Sequence, residues 1–279
     1  MLQVVFSSSS KEGWEDSDQG LSIRDLAMHV VLPEIDGRIL TRAVSFKEEG
    51  IFDEATQSTP VAFTPVPDRI MFTAALAAAW GKLGRKPAAA KKSALVLANY
   101  PNRDGRLANG VGLDTPASCV HLLKAMAAAG YDVGKVPASS ADLMEILTSG
   151  VTNALEGRSG KDEYQALSLQ DYERSFDRLP DVVRSAVVDR WGAPSNDPHV
   201  TDGHFRLALH RFGNQVVGIQ PARGYNIDPK ETYHDPALVP PHHYFAFYIW
   251  LREQFAVDAV IHLGKHGNLE WLPGKALAL

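Results

Sequence analysis

Two histidines and a carboxylate fall four residues apart in IHLGKHGNLEWLPGKALAL, residues 261–279: His262, His266 and Glu270. Imidazole and carboxylate are the side chains that hold divalent transition metals and carry protons near neutral pH. Gly264 and Gly267 interleave with them. On one continuous helix, positions four and eight apart would share a face. Two glycines in that stretch, each costing about 1 kcal/mol relative to alanine in a helix, argue against one. The spacing predicts instead a buried strand over residues 255–261 (FAVDAVI), a glycine turn, and a short helix from about Asn268. Asn268 would be its N-cap, with Pro273 near its end. Ligand sites of open α/β sheets gather outside the carboxyl ends of strands, which is where this order puts the three residues. The plainer alternative is a pair of half-buried histidines at a strand end. Two histidines and a glutamate so close together, flanked by glycines, favour chemistry.

A second group lies in residues 99–115, NYPNRDGRLANGVGLDT, which hold Arg103, Arg106, Asn109 and Asp114. This loop leaves a predicted strand (93–98, SALVLA) and enters a predicted helix (116–130), whose N-terminal N–H groups favour anions. Its spacing fits neither a Walker phosphate loop nor a dinucleotide fingerprint. A third group follows in residues 220–241, where Arg223, Asp228, Lys230, His234 and Asp235 sit among prolines that forbid regular structure. His242 and His243 then open an aromatic helix, HHYFAFYIWLREQF. They could be ligands or plain capping residues.

Elements able to position these groups alternate along the chain. Strands are expected at 3–6, 93–98, 131–136, 206–211 and 214–219. Helices are expected at 21–30, ending near Pro33; at 68–83, with Asp68 as N-cap; at 116–130 and 141–148; and over 169–191, divided at Pro180. Residues 48–67, with Pro60, Pro65 and Pro67, look like loop. Strand, long loop, helix and strand over 93–136 make a βαβ unit and imply a parallel sheet. The fold class is α/β: parallel-sheet βαβ units with a helical insertion. The expected segments are 1–92, 93–149, 150–200 and 201–279.

Composition narrows the function. The chain has 279 residues, 45% of them hydrophobic, and a net charge of -5, which gives no reason to expect nucleic-acid binding. One cysteine, Cys119, rules out an internal disulfide or a cysteine-rich metal centre, and its helical surroundings make it a small core residue. No apolar run approaches the roughly 20 residues of a membrane span, and no secretory signal opens the chain, so a cytoplasmic location is expected.

The segment HLGKHGNLEWLPGKALAL (262–279) resembles the signature shared by the large subunit of aerobic cobaltochelatase and the porphyrin-binding subunit of magnesium chelatase. Further blocks agree, in the family's order: QGLSIRDLAMHVVLPEIDGRILTR (19–42), NYPNRDGRLANGVGLDTP (99–116), GNQVVGIQPARGY (213–225) and YHDPALVPPHHYFAFYIWLR (233–252). The wording NGVGLDTP, YNIDPKETYHDP and LEWLPGKALAL is similar to the cobalt branch. Family members are several times longer, so the chain reads as a fragment of a multidomain subunit, and activity is expected of the complete subunit. The resemblance implies insertion of Co²⁺, as substrate metal, into a corrinoid of the hydrogenobyrinic acid a,c-diamide type, in cobalamin biosynthesis. It also implies a ring-forming AAA+ ATPase subunit and a bridging subunit as partners. No ATP motif is visible here, so ATP–Mg would belong to those partners. On this basis His262 and His266 are expected to deliver metal or accept protons, and Glu270 to be the general base. Arg103, Arg106 and Arg223 are expected to hold the macrocycle's carboxylates, with Asn109, Asp114 and His242 as further binding residues. Tyr244, Phe247, Tyr248 and Trp250 could flank a flat ring, but core packing is the simpler expectation. The alternatives are a magnesium chelatase subunit, a non-catalytic tetrapyrrole- or metal-binding module, and an unrelated metallohydrolase.

Overall fold

The computed structural model describes residues 1–99, 108, 112–155, 165–225, 235–265 and 267–276. The chain divides into two compact units, Met1–Arg85 with Gly274–Leu279, and Lys86–Pro273. Each is α/β.

In the first unit, β1 (Leu2–Ser7) runs parallel to β2 (Ile39–Glu49), and β3 (Val61–Pro65) pairs antiparallel on the other side of β2. Strand β3 lies in the stretch expected to be loop. It is an edge strand, the position where proline is tolerated because only one side of the ladder needs donors. Helix α1 (Lys11–Glu15) follows β1, and Ser10 accepts the N–H of Gly13 at its start. The next helical run continues past Pro33: α2 (Ile23–Leu26), a π-helical turn (Ala27–Val31), then α3 (Leu32–Ile35). Pro33 lies in the first turn of α3, directly after the π-helical turn. Helix α4 (Pro67–Arg85) begins at Pro67, so Asp68 lies inside its first turn rather than at the N-cap. Val5, Leu21, Val30, Ala43, Phe46 and Val66 form the core. Lys275 joins residues 274–276 to this unit, its Nζ donating to the carbonyls of Glu15 (2.8 Å) and Ser17 (2.6 Å).

The second unit is built on β4 (Ser93–Leu97), whose five residues are all buried. Helix α5 (Thr115–Ala128) follows; Asp114 caps it by accepting the N–H of Ala117, and Gly130 leaves it with a positive φ. The expected strand at 131–136 is irregular. There the Asp132 carbonyl accepts the N–H of Asn214 and the Nε2 of Gln215, and Gly134 takes a φ of 53°. A Cβ on Gly213 would overlap Asp132 Oδ1, so this connector is pressed against a hairpin rather than paired in a sheet. Helix α6 (Ser140–Ser149) starts with a reciprocal Ser139–Asp142 cap.

In segment 150–200, expected as a helical insertion, β5 (Gln165–Ser168) precedes α7 (Leu169–Phe176) and α8 (Asp181–Trp191), which Pro180 divides as expected. Strand β5 pairs antiparallel with β7 (His204–Leu207), which pairs in turn with β6 (Val200–Thr201). The hairpin β8 (Leu209–Phe212) and β9 (Gln215–Ile219), helix α9 (His242–Ile249) with a π-helical turn after it, and β10 (Ala259–Leu263) complete the unit.

The main sheet has the order β10-β4-β9-β8, with β10, β4 and β9 parallel. Its two faces alternate by residue. Ala94, Val96 and Val216 pack towards α7 and α9, whereas Leu95, Leu97, Val217 and Ile219 pack towards α5 and α6. Burial of a side chain of this size contributes about 1.5–3 kcal/mol, so both faces hold the sheet. Strand β10 starts later than expected and is an edge strand of half-buried and exposed residues. Tyr244, Phe247 and Trp250 of the α9 region are buried in the core, as is Cys119, whose thiol pKa burial pushes up to about 12. Among the described residues, no helix is long and apolar enough to cross a membrane.

Candidate functional site

The register aligns Leu263, Leu97 and Ile219 as the last residues of three adjacent parallel strands. Backbone pairing extends one residue further, Ala98 N–H to Leu263 (2.8 Å) and Gln220 N–H to Leu97 (2.9 Å). The strands therefore release their chains at one level. A cavity of about 200 Å³ lies there, lined by Ala98, Gln220, His262, Leu263, Gly264, Lys265, Gly267, Leu269 and Glu270. His262 and Glu270, singled out from the sequence, thus share one cavity.

Gln220 shapes this cavity and is 1% exposed. Its Oε1 accepts the N–H of Asn268 at 2.9 Å, and its carbonyl accepts Nδ2 of Asn153 at 2.7 Å. Asn268 Nδ2 in turn donates to the Pro221 carbonyl at 2.8 Å. A Cβ on Gly267 would come within 3.1 Å of Gln220 Oε1, so the glycine allows the two loops to meet. Asn268 is consequently buried and is not the N-cap. It begins a 3-10 turn, Asn268–Trp271, after Gly267, and that turn carries Glu270.

His262 stands on the edge strand, exposed to solvent, with its ring centroid 6.1 Å from that of Tyr248 on α9. It shares a register row with Val96 and Gly218. A Cβ on Gly218 would lie 2.8 Å from Phe247 Cζ, which shows how closely α9 approaches this face. Protein on one side of the imidazole pushes its pKa below the ordinary 6.5 by desolvation, while water on the other side screens that effect. The neutral form, which can bind metal or accept a proton, is favoured at pH 7. Burial likewise raises the pKa of Tyr248.

The other sequence candidates fall elsewhere. His266, Arg103, Arg106 and Asn109 lie outside the described residues. Asp114 is the cap of α5. Arg223 is 1% exposed, and its Nη2 donates to the carbonyls of Asp235 (2.6 Å) and Leu238 (3.2 Å), bracing the chain ahead of α9. His242 is fully buried: Nε2 donates to the Gly192 carbonyl at 2.9 Å, which leaves Nδ1 to accept the Tyr172 hydroxyl at 2.7 Å. Desolvation lowers its pKa, opposed by the Gly192 bond. Both ring nitrogens are occupied, so this imidazole is a core hydrogen-bonding group. Its neighbour His243 is also buried, stacked on His199 with centroids 3.6 Å apart. Among the described residues, no three His, Cys, Asp or Glu side chains are arranged to hold a metal ion.

Sequence reasoning passed over Gln220 and Ala98, and expected Tyr248 to pack in the core. The first two carry a signal that could have found them: each is the residue directly after a buried parallel strand, the level at which ligand sites form.

Comparison with known proteins agrees with the sequence blocks. The model of the family described as CobN/Magnesium Chelatase matches residues 1–279. Aerobic cobaltochelatase subunit CobN from Sinorhizobium sp is 56% identical over the whole chain, and that from Pseudomonas aeruginosa is 52% identical. A magnesium-chelatase subunit from Rhodobacter capsulatus is 31% identical over 94% of the chain. In each case the chain spans 22% of the relative's length, about a fifth. Among solved structures, the catalytic subunit of cobaltochelatase from Mycobacterium tuberculosis superposes with a TM-score of 0.83 at 37% identity, covering 99% of this chain and 23% of that one. Matched along its entire length in both sequence and fold, the chain belongs to the CobN/magnesium chelatase family.

Proposed function

We propose that this chain supplies the metal-insertion site of an ATP-dependent cobaltochelatase, acting in the cytoplasm to place Co²⁺ in hydrogenobyrinic acid a,c-diamide on the route to cobalamin. The observation that carries the proposal is His262 and Glu270 lining one cavity at the carboxyl ends of parallel strands, in a chain 56% identical to a cobaltochelatase subunit. Insertion requires hydrated Co²⁺ to shed water as the ring's pyrrolic protons leave. Glu270 is the general base for those protons. His262, held towards its neutral form, takes the ion during dehydration, because imidazole is a good ligand for Co²⁺. His266, four residues further on, is proposed to share that transfer.

Arg103, Arg106 and Asn109 are proposed to meet the macrocycle's carboxylates. Arg223, Asp114 and His242 have supporting roles instead, as loop brace, helix cap and core hydrogen-bonding group. ATP hydrolysis is assigned to an AAA+ partner linked through a bridging subunit. Cobalt is favoured over magnesium by the higher identity to the cobalt relatives, 56% and 52% against 31%.

The test is insertion by the full-length subunit with its ATPase partners and ATP, followed by corrinoid absorbance. Cobalt insertion into the a,c-diamide is expected. Insertion of Mg²⁺ into protoporphyrin, with none of cobalt, would contradict the proposal.

A further inference from the structure

Lys265 lines the cavity together with His262 and Glu270. It is exposed, and among the described residues it forms no ion pair with Glu270 or with any other carboxylate. An ammonium is an odd neighbour for a metal site. It has three donors and no acceptor, so it ligates nothing, and its charge repels a divalent cation. Among the described lining residues, Lys265 and Glu270 carry the formal charges, and these cancel. Neutral His262 adds none. The cavity, at about 200 Å³, is smaller than the roughly 300–1,000 Å³ of pockets that enclose an organic ligand. It has room for a metal ion and one arm of a macrocycle, not for the ring itself.

We propose that Lys265 is an electrostatic gate on metal entry. Its ammonium repels Co²⁺ from the empty cavity and is neutralised by one free carboxylate of the macrocycle, so metal binds well only after the macrocycle is seated. The charges support this order. Glu270 contributes -1 and Lys265 +1, a sum of 0; a substrate carboxylate on Lys265 brings the sum to -1. A carboxylate accepts hydrogen bonds and an ammonium donates them, so the two groups match in chemistry as well as in charge. The order also protects the reaction. Metal held early would take Glu270 as a ligand and remove the base that the pyrrolic protons need. Coupling of this kind is reciprocal: the factor by which the macrocycle tightens Co²⁺ is the factor by which Co²⁺ tightens the macrocycle. This inference rests on the function proposed above.

The experiment compares the full-length subunit with its Lys265→Met and Lys265→Arg variants. Co²⁺ affinity is measured by calorimetry, without and with saturating corrinoid a,c-diamide, and corrinoid affinity by fluorescence quenching. No ATPase partner or ATP is present, and corrinoid absorbance checks that no cobalt has entered the ring. In the wild type, the corrinoid should tighten Co²⁺ binding about fivefold or more. Lys265→Met should tighten Co²⁺ binding to the empty subunit by about that factor, so that the corrinoid adds little. Its corrinoid affinity should fall only about two- to fivefold, the scale of one exposed ion pair. Lys265→Arg keeps the charge and should behave as the wild type. An empty Lys265→Met subunit that binds Co²⁺ no more tightly than the wild type would overturn the gate. So would a Lys265→Arg variant that matches Lys265→Met, because charge would then not be the cause. If the wild type binds corrinoid and Co²⁺ without any coupling, the gate fails and the proposed function stands. If it binds neither, the proposed function fails and the gate falls with it.

Discussion

Replacing Gln220 with leucine keeps the bulk of the side chain and removes the acceptor that fixes the Glu270 turn. The N–H of Asn268, a residue 1% exposed, now bonds to Gln220 Oε1 at 2.9 Å. Without that acceptor the donor stays buried and unpaired, at a cost of about 1–3 kcal/mol. In a unit of about 150–250 residues each kcal/mol lowers Tm by about 2–4 °C, so a fall of about 2–12 °C is expected. Loss of this tie also frees the 268–271 turn that carries Glu270 to shift. Misplacing a reacting group by 1 Å can cost about 10²-fold in rate, and cobalt insertion should fall on that scale. Gln220→Glu keeps an acceptor oxygen and should recover most of the lost stability. The assays are thermal unfolding and insertion by the reconstituted complex. A Gln220→Leu protein with wild-type Tm and rate would refute the reasoning, as would a Gln220→Glu protein that falls equally far.

Stability should also depend on pH through His242. Its folded pKa lies below the ordinary 6.5, so between those two values the unfolded chain binds more protons and stability falls as pH drops. The urea midpoint should be lower at about pH 5.5 than at about pH 7.5, and His242→Gln should flatten that difference; equal wild-type midpoints would count against a buried neutral imidazole. Gly218→Ala would place a methyl group 2.6 Å from Leu209 Cδ2 and 2.8 Å from Phe247 Cζ. Overpacking of this kind costs about 1–3 kcal/mol, measurable by chemical denaturation, and an unchanged midpoint would show that α9 yields freely.

Elements with strong local signals were legible in the sequence. The apolar run of β4, the Gly130 exit of α5 and the break at Pro180 all depend on residues close in the chain, whereas Asp114, expected to bind substrate, is the cap of α5. Elements decided by distant partners were less so. The apolar residues at 131–136 suggested a strand, but β4 takes β9 and β10 as neighbours instead, more than a hundred residues further on. Strand β3 was hidden by prolines that only an edge position tolerates. At the site, the nearness of His262 and Glu270 was readable from their spacing, but the direction of a polar side chain was not. Arg223 and His242 look like ligands in sequence and turn inward to backbone carbonyls in the fold. Asn268 looks like a cap and is an internal tie between two loops. Gln220 matters through a hydrogen bond formed 48 residues away, which local pattern cannot reveal.

Glu270→Gln in the complete subunit, assayed with the ATPase partners and ATP, tests the central claim most directly. Glutamine keeps the size of the side chain on the 268–271 turn and cannot accept a proton at neutral pH. Loss of a general base costs about 10²–10⁴-fold in rate, so cobalt insertion should fall by that much. Corrinoid affinity, measured on the same preparation by fluorescence quenching, should stay within about twofold, because the proposal assigns the macrocycle's carboxylates to other residues. A Glu270→Gln protein that inserts cobalt at close to the wild-type rate would contradict the account; so would one whose only defect is loss of corrinoid binding.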